Sequence, residues 1–420
     1  MNVTVNTQVL YSAVQKLAKI APKKPVQPIL KSIKLTIGGD KLTLSATDLD
    51  TWLQIDIPVI GFNGEPGALL VDAKELSKAL AGSKKQTTQI YTEKGIGTDN
   101  TDVMIASMFT SRLTQPGEAI DYPSPPALCD KRMLTITRSQ CDILANRVSY
   151  AAAGYDHASI LGGVNLKTDC KVLNACATDG SRLIAYDTTV DVHMAGSVIV
   201  PVVALTTIDG VLHKHDRDVE VSVDGDNVAH HIRFYVKDSV KWGGDVTLIS
   251  RTIGGEYPRY QELIPTTSSG SSTYRTAELL EVAKRVDKLD DRCHLMVISG
   301  GYIQTREGDF SANVEHDGDN APDRIALNAH YLAQWLATAG DTVKILFTGD
   351  KNRDVKPVLI KDEELTYLVM PVQMETPGKP HGVKVKTVEP KGAPKPVAKS
   401  KPATVKREMQ LAKSIENVVQ

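Results

Sequence analysis

Cations at helical spacing are the residues of this chain best arranged to do chemistry. Lys16 and Lys19 stand three apart, Lys74 and Lys78 four apart, and Lys284, Arg285 and Lys288 form a further set. Residues three or four apart share one helix face, so each set would present a row of positive charge. Such a row suits a polyanion, most simply a phosphate backbone held without reading its bases. For any single lysine, a solvated surface is the simpler reading. Lys16, Arg147 and Arg285 fall at one position of three similar helical segments, however, and the acidic body of the chain would not place them there by composition.

The patterns of a catalytic centre are missing. The sequence holds no G-x-x-x-x-G-K-[ST], no H-E-x-x-H and no G-x-S-x-G, which phosphate cradling, zinc hydrolysis and a serine nucleophile would require. His213, His215 and Asp216 could be a metal fragment, but a solvated helix end explains them better. His230 and His231 lie in a strand-like run and read as surface. Asp48 and Asp179 each follow Ala-Thr, which could suggest an acidic metal site. An Asp after a strand more often caps the N–H groups of a turn. The reading is a protein without catalysis, metal or cofactor.

The elements that position these residues come from a threefold repeat. PILKSIKL (28–35) aligns with SILGGVNL (159–166) at an offset of 131, and ATDLDTWLQIDIPV (46–59) aligns with ATDGSRLIAYDTTV (177–190) at the same offset. Leu10, Ala13, Val14 and Leu17 match Cys141, Leu144, Ala145 and Val148, again at 131. A third copy is traceable from LLEVAKRV (279–286) against CDILANRV (141–148), at 138. GALLVDAKELSKAL (67–80), GSVIVPVVALTTI (196–208) and DRIALNAHYLAQWL (323–336) share a strand-then-helix pattern. Each unit therefore reads as a helix with one apolar stripe, several short alternating strands, a second helix and more strands. That is an α+β class, with helices packed on one side of mostly antiparallel sheet. The expected domains are 1–125, 126–265 and 266–374, followed by a tail, 375–420.

Composition agrees with this organisation. Of 420 residues, 41% are hydrophobic and 24% charged, a globular balance that excludes wholesale disorder and collagen-like repeats. The five cysteines form no C-x-x-C pair and are odd in number, which suggests reduced thiols. No signal-like N-terminus and no run of about 18 apolar residues is visible, so the expectation is a soluble cytoplasmic protein off the membrane. The net charge of −1 hides an asymmetry: from Glu375 onward ten Lys/Arg and four acids give +6, leaving −7 for residues 1–374. The tail carries six prolines between Thr376 and Lys406 and no aromatic residue, so it should be extended and attracted to phosphate.

Four segments carry a family resemblance: Pro28-Ile29-Leu30, ATDGSRL (177–183), GEYPRYQELIP (255–265) and TYLVMPVQM (366–374). Over residues 1–374 the chain resembles the bacterial DNA polymerase III beta subunit, the replicative sliding clamp. The resemblance implies a head-to-tail homodimer in which six clamp domains close a ring, with helices lining a hole for double-stranded DNA and sheets outside. It implies sequence-independent DNA contact by Lys16, Lys19, Lys24, Lys74, Lys78, Arg147, Lys284, Arg285 and Lys288. It further implies a nucleoid-associated role and docking of the polymerase III catalytic subunit, the clamp loader and other proteins with clamp-binding motifs.

The implied docking pocket comprises Leu161, Thr178, Gly180, Arg182, Leu183, Pro258, Leu263, Asn328, Tyr331, Leu368, Met370, Val372 and Gln373. Aliphatic and Met side chains would give an adaptable apolar slot, and a few polar groups would fix the peptide. For each leucine taken alone, plain core is the competing reading. The implied dimer seam sets Met104, Ala106 and Met108 against Val286 and Leu289. Departures from the family pattern are Gln373-Met374 in place of an Arg-Leu ending, and Glu262 in place of a basic residue. The competing functional readings are a specialised phage or mobile-element clamp paralogue serving one partner and, from another class, a metal-dependent nucleic-acid enzyme.

Overall fold

Six α-helices are present among the described residues, and local chemistry explains where they start. Helix α1 (Thr7–Ile20) buries Leu10, Ala13, Val14 and Leu17 on one stripe, and Asn6 caps it by accepting from the N–H groups of Gln8 and Val9. Asp72 caps α2 (Ala73–Leu80) in the same way, and Asn328 caps α6 (Ala329–Leu336). Each such cap contributes about 1 kcal/mol. Thr137 and Gln140 form a reciprocal capping box at the start of α3 (Arg138–Asp142), whose path continues as a π-turn, Ile143–Val148, and a 3-10 turn, Ser149–Ala151. The remaining helices are α4 (Val202–Val211) and α5 (Thr276–Leu289). The computed structural model describes residues 2–94, 101–126, 131–154, 160–224, 230–289, 294–299, 301–319, 324–348 and 356–372.

The strands repeat in order and in register. In the first repeat Lys34 pairs with Ser45, and Ser45 with Gln54. In the second, Asn165 pairs with Cys176, and Cys176 with Ala185, so the offset of 131 read from the sequence is also the offset of the ladders. One face of these strands, with Leu42, Leu44, Leu53, Ile55 and Ile57, belongs to the same core as the stripe of α1. Burying one such side chain stabilises the fold by about 1.5–3 kcal/mol, and Leu10→Ala would remove about 2–5 kcal/mol.

Antiparallel pairing also joins the repeats to one another. At the first seam the strand Thr51–Asn63 pairs with Gly244–Arg251, from Thr51 against Ser250 to Ile55 against Val246. At the second, Arg182–Thr189 pairs with Leu365–Val369. A 13-stranded sheet therefore crosses the first seam and a nine-stranded sheet the second. The third repeat breaks the pattern: Ser311–Asn313 pairs with Tyr302–Thr305 and has no strand on its other edge among the described residues. Thr110–Thr114 of the first repeat ends the 13-stranded sheet in the same one-sided way.

Candidate docking and nucleic-acid surfaces

The two Ala-Thr-Asp segments build the same turn. Asp48 accepts from the N–H of Asp50 (3.1 Å) and Thr51 (2.7 Å), and Asp179 accepts from those of Ser181 (2.9 Å) and Arg182 (3.0 Å). The turn needs a left-handed residue, which is Gly180 at φ 91° in one copy and Leu49 at φ 80° in the other. These aspartates are caps, as expected. Asp216 is another: it accepts from the N–H groups of His213 (2.6 Å) and Val240 (2.7 Å) and from the Ser239 hydroxyl (3.0 Å). His231 Nδ1 lies 2.7 Å from Asp224, while His230 is exposed.

The expected pocket residues separate into three groups. Leu161, Leu183 and Leu368 pack in a second apolar cluster with Cys176, Tyr257 and Tyr260. Leu183 and Leu368 are only 2% and 4% exposed, so both are core beneath the surface rather than walls of an open slot. Leu263, Met370 and Val372 are exposed, as is Pro258. Backbone bonds hold the end of the last strand in place, from Met370 N–H to Ser181 O and from Val372 N–H to Ala326 O, each 2.9 Å. Gln373 lies outside the described residues.

Arg182 belongs to the third group, whose partners lie inside the protein. Its guanidinium donates to Asp179, to the Tyr150 carbonyl and to Gln334, and lies 4.1 Å over the Tyr331 ring. With each of its three nitrogens donating inside the protein and 7% exposure, it acts as an internal strut in this chain. Thr178 and Gly180 shape the turn that delivers it, with Gly180 N–H donating to Thr178 Oγ1, and Asn328 is occupied as the α6 cap. Burial pushes the hydroxyl pKa values of Tyr150, Tyr257, Tyr260 and Tyr367 upward, and keeps these hydroxyls protonated. A cleft of about 540 Å³ alongside, lined by Lys167, Val198, Thr252 and 253–261, includes Pro258 alone of the expected set.

The basic positions also divide. Lys19, Lys24, Lys74, Lys78, Lys284, Arg285 and Lys288 are exposed, Lys78 in an ion pair with Glu75 (2.8 Å) and Arg285 over the Phe310 ring. Arg147 is corrected: it is ion-paired with Asp362 and lies 5.5 Å from the Trp335 ring centre, so it ties the second repeat to α6 of the third. Lys16 stands about as close to α4, with Nζ 4.0 Å from where a side chain on Gly210 would begin. Burial first, then Lys19, lowers its pKa, and Asp209 opposes the shift. At both in-chain seams, then, this helix position sends its cation to the next repeat's second helix.

The expected dimer-seam residues differ in exposure. Val286 is fully buried on the inner face of α5, and Met104 is 7% exposed. Met108 and Leu289 are each half exposed, with Phe109 at 74% beside Met108, and Ala106 is partly covered.

This arrangement of repeated helix–sheet units can be compared with known proteins. A family model described as the N-terminal domain of the DNA polymerase III beta subunit matches residues 1–124, and one for its central domain matches residues 135–259. The chain belongs to the DNA polymerase III beta subunit family. The beta sliding clamps of Pseudomonas aeruginosa and Bacillus subtilis are each 23% identical to it, over 390 and 399 residues, with 89% of this chain and all of each relative covered. Among solved structures, the beta subunit from Streptococcus pyogenes superposes with a TM-score of 0.78 at 19% identity, and the Bacillus subtilis sliding clamp with 0.76 at 22%. Each structural match covers 89% of this chain and 100% of the other. The beta-subunit family is one of accessory clamp chains and not of catalytic ones.

Sequence reasoning missed several residues that shape this beta-subunit chain. Trp335 stacks on Tyr367 with 4.8 Å between ring centres, and Tyr150 and Gln334 both receive Arg182. Tyr257 and Tyr260 roof the second apolar cluster. The one available signal was aromatic: Tyr257 and Tyr260 flank Pro258 and Arg259 in the connector GEYPRYQELIP (255–265).

Proposed function

We propose that this chain is a DNA sliding clamp, which encircles duplex DNA as a homodimer and tethers the replicative polymerase by topology. Its working domains would be 1–125, 126–265 and 266–374. Family membership supports the class of function, and the two one-sided strand edges support the assembly. Each in-chain seam joins a strand of one repeat to the last strand of the next. By the same rule, Ser311–Asn313 would receive Thr110–Thr114 of a second copy, and two such joints would close a ring. Uncovered edges invite pairing with another chain, and closure removes them. Met108, Phe109 and Leu289 are the exposed apolar side chains this joint would cover.

The exposed lysines of α1, α2 and α5 would face the duplex as mobile point charges, which suits sliding because their contact with phosphate is weak and salt-dependent. Polymerase and other partners would dock at the exposed Leu263, Met370 and Val372, over the floor of Leu183 and Leu368. Sedimentation equilibrium tests the assembly: the expected mass is twice the 45.6 kDa chain. A monomer at micromolar concentration defeats the reading. Retention on nicked circular DNA after loading, and release when the circle is cut, tests the topological tether.

A further inference from the structure

The first seam carries an open groove on the sheet face opposite the helices. The corresponding floor at the second seam is covered by the connector. At the second seam Cys176, Leu183, Ala185 and Leu368 lie under the connector's Tyr257 and Tyr260, which are 9% and 3% exposed. The ladders put Ser45, Trp52, Gln54 and Ile249 at the four corresponding positions of the first seam. There the connector supplies Tyr122, hydrogen-bonded to Thr47 N–H (3.2 Å) and Ser32 O (3.0 Å), and then Pro123, Ser124 and Pro125. Among the described residues nothing takes the place of Tyr260. A cavity of about 240 Å³ remains, lined by the connector, Trp52, Ile249, hydroxyl and amide side chains, and one charged residue, Lys34.

We propose that this groove docks an extended segment of a partner protein carrying a tyrosine and a carboxylate. The polypeptide class follows from the molecule itself, which lays such a segment, GEYPRYQEL (255–263), over the equivalent face at its other seam. Trp52 and Ile249 give the apolar ledge an aromatic ring needs. Thr36, Ser45 and Thr247 can bond the N–H and C=O groups of an extended backbone, while Thr43 and Gln54 donate to Asp56 (2.8 and 3.4 Å). Charge sets the sign of the partner: Lys34 is half-buried, is the one ionised group in the lining, and has no carboxylate partner among the described residues. A single cation is too little for a polyphosphate chain, which is bound through several, but it matches one acidic side chain. The docking site is independent of the clamp reading, because it rests on the repeat register alone.

The test uses the full-length protein and the synthetic peptide GEYPRYQELIP, which has two tyrosines, two carboxylates and no tryptophan. Trp242 and Trp335 are 1% and 0% exposed, so Trp52 is the tryptophan that can report contact. The expected result is a saturable change in tryptophan emission with a Kd on the order of 100 µM. Lys34→Glu should weaken binding about tenfold, as should Ser45→Arg, which fills the floor. Both positions are part-exposed on the outer face, and unchanged circular dichroism will verify their folding. A peptide with both tyrosines replaced by serine should not bind. No saturable change up to about 1 mM, or binding indifferent to both substitutions, overturns the proposal. Neither outcome bears on ring closure, which sedimentation reads separately.

Discussion

The two in-chain seams share a backbone and differ in chemistry. Both join five residue pairs across an antiparallel ladder, and both place an aspartate-capped turn at the start of the crossing strand. At the first seam the outer face is polar, and its charge pairs are at the surface, as in Arg251 with Asp50 (3.2 Å) and Lys41 with Asp245 (3.8 Å). At the second, arginine, tryptophan and tyrosine fill the space, and the charges are internal. Register thus fixes where neighbours meet but leaves their chemistry free. At one joint the floor lies under the connector, while at the other the matching floor stays accessible.

The sharpest way to break this comparison is to substitute the equivalent residues Arg182 and Thr51. Arg182→Ala leaves the Tyr150 carbonyl and Asp179 without their donor inside the protein and should cost about 3–5 kcal/mol in urea unfolding. Thr51→Ala, at the matching place, should cost about 1 kcal/mol. Equal losses would show that the buried arginine does not distinguish the seams.

Alkali should separate the seams next. Burial raises the pKa of Tyr150, Tyr257, Tyr260 and Tyr367 at the second seam, and pushes Tyr186 up to about 12. A raised folded-state value means the stabilisation is complete below the unfolded value, near pH 10, and is lost as pH rises through the folded one. Tyrosinate absorbance from these buried hydroxyls should therefore appear together with unfolding and not before it. Tyr257→Phe with Tyr260→Phe should extend the alkaline limit more than Tyr122→Phe at the first seam.

Smaller effects follow from the turns and the surface pairs. Leu49→Gly should stabilise by about 1 kcal/mol by relieving its left-handed backbone, and Gly180→Leu should destabilise by a similar amount. Thermal melts of the two variants should move in opposite directions. In acid the first seam should weaken slightly. Burial tends to raise the pKa of Asp245, but the Asp238 N–H, the Tyr235 hydroxyl and Lys41 outweigh it and hold the carboxyl low. That contribution is present above about pH 4 and is lost as pH falls through the folded value. Asp245→Asn should flatten the acid limb by under about 1 kcal/mol, because the pair is partly screened by water.

The sequence made the repeat, the strand faces and the capping turns legible, because each depends on local spacing. Leu10, Ala13, Val14 and Leu17 are buried as the helical period requires, and Asp48 and Asp179 cap as their position after a strand suggests. Whether a surface cation is left free was not legible. Arg147 and Arg285 look alike in sequence, yet a neighbouring repeat brings Asp362 and Trp335 to the first. The repeat does place Val286 on the buried stripe with Leu17 and Val148, whereas the resemblance set it at the dimer seam. Period identifies a face but not what another part of the chain lays against it.

Sheet continuity through the seams also decides how the proposed ring would bear load. Strands that cross a joint side by side resist being pulled apart along their length, since all their hydrogen bonds must yield together. Each in-chain joint has five residue pairs in parallel and is backed by a covalent connector. The proposed joint between copies would rest on Ser311–Asn313, a strand of three residues, with no connector behind it. A hoop under tension fails at its shortest weld, so a device that opens this ring needs to strain it only there.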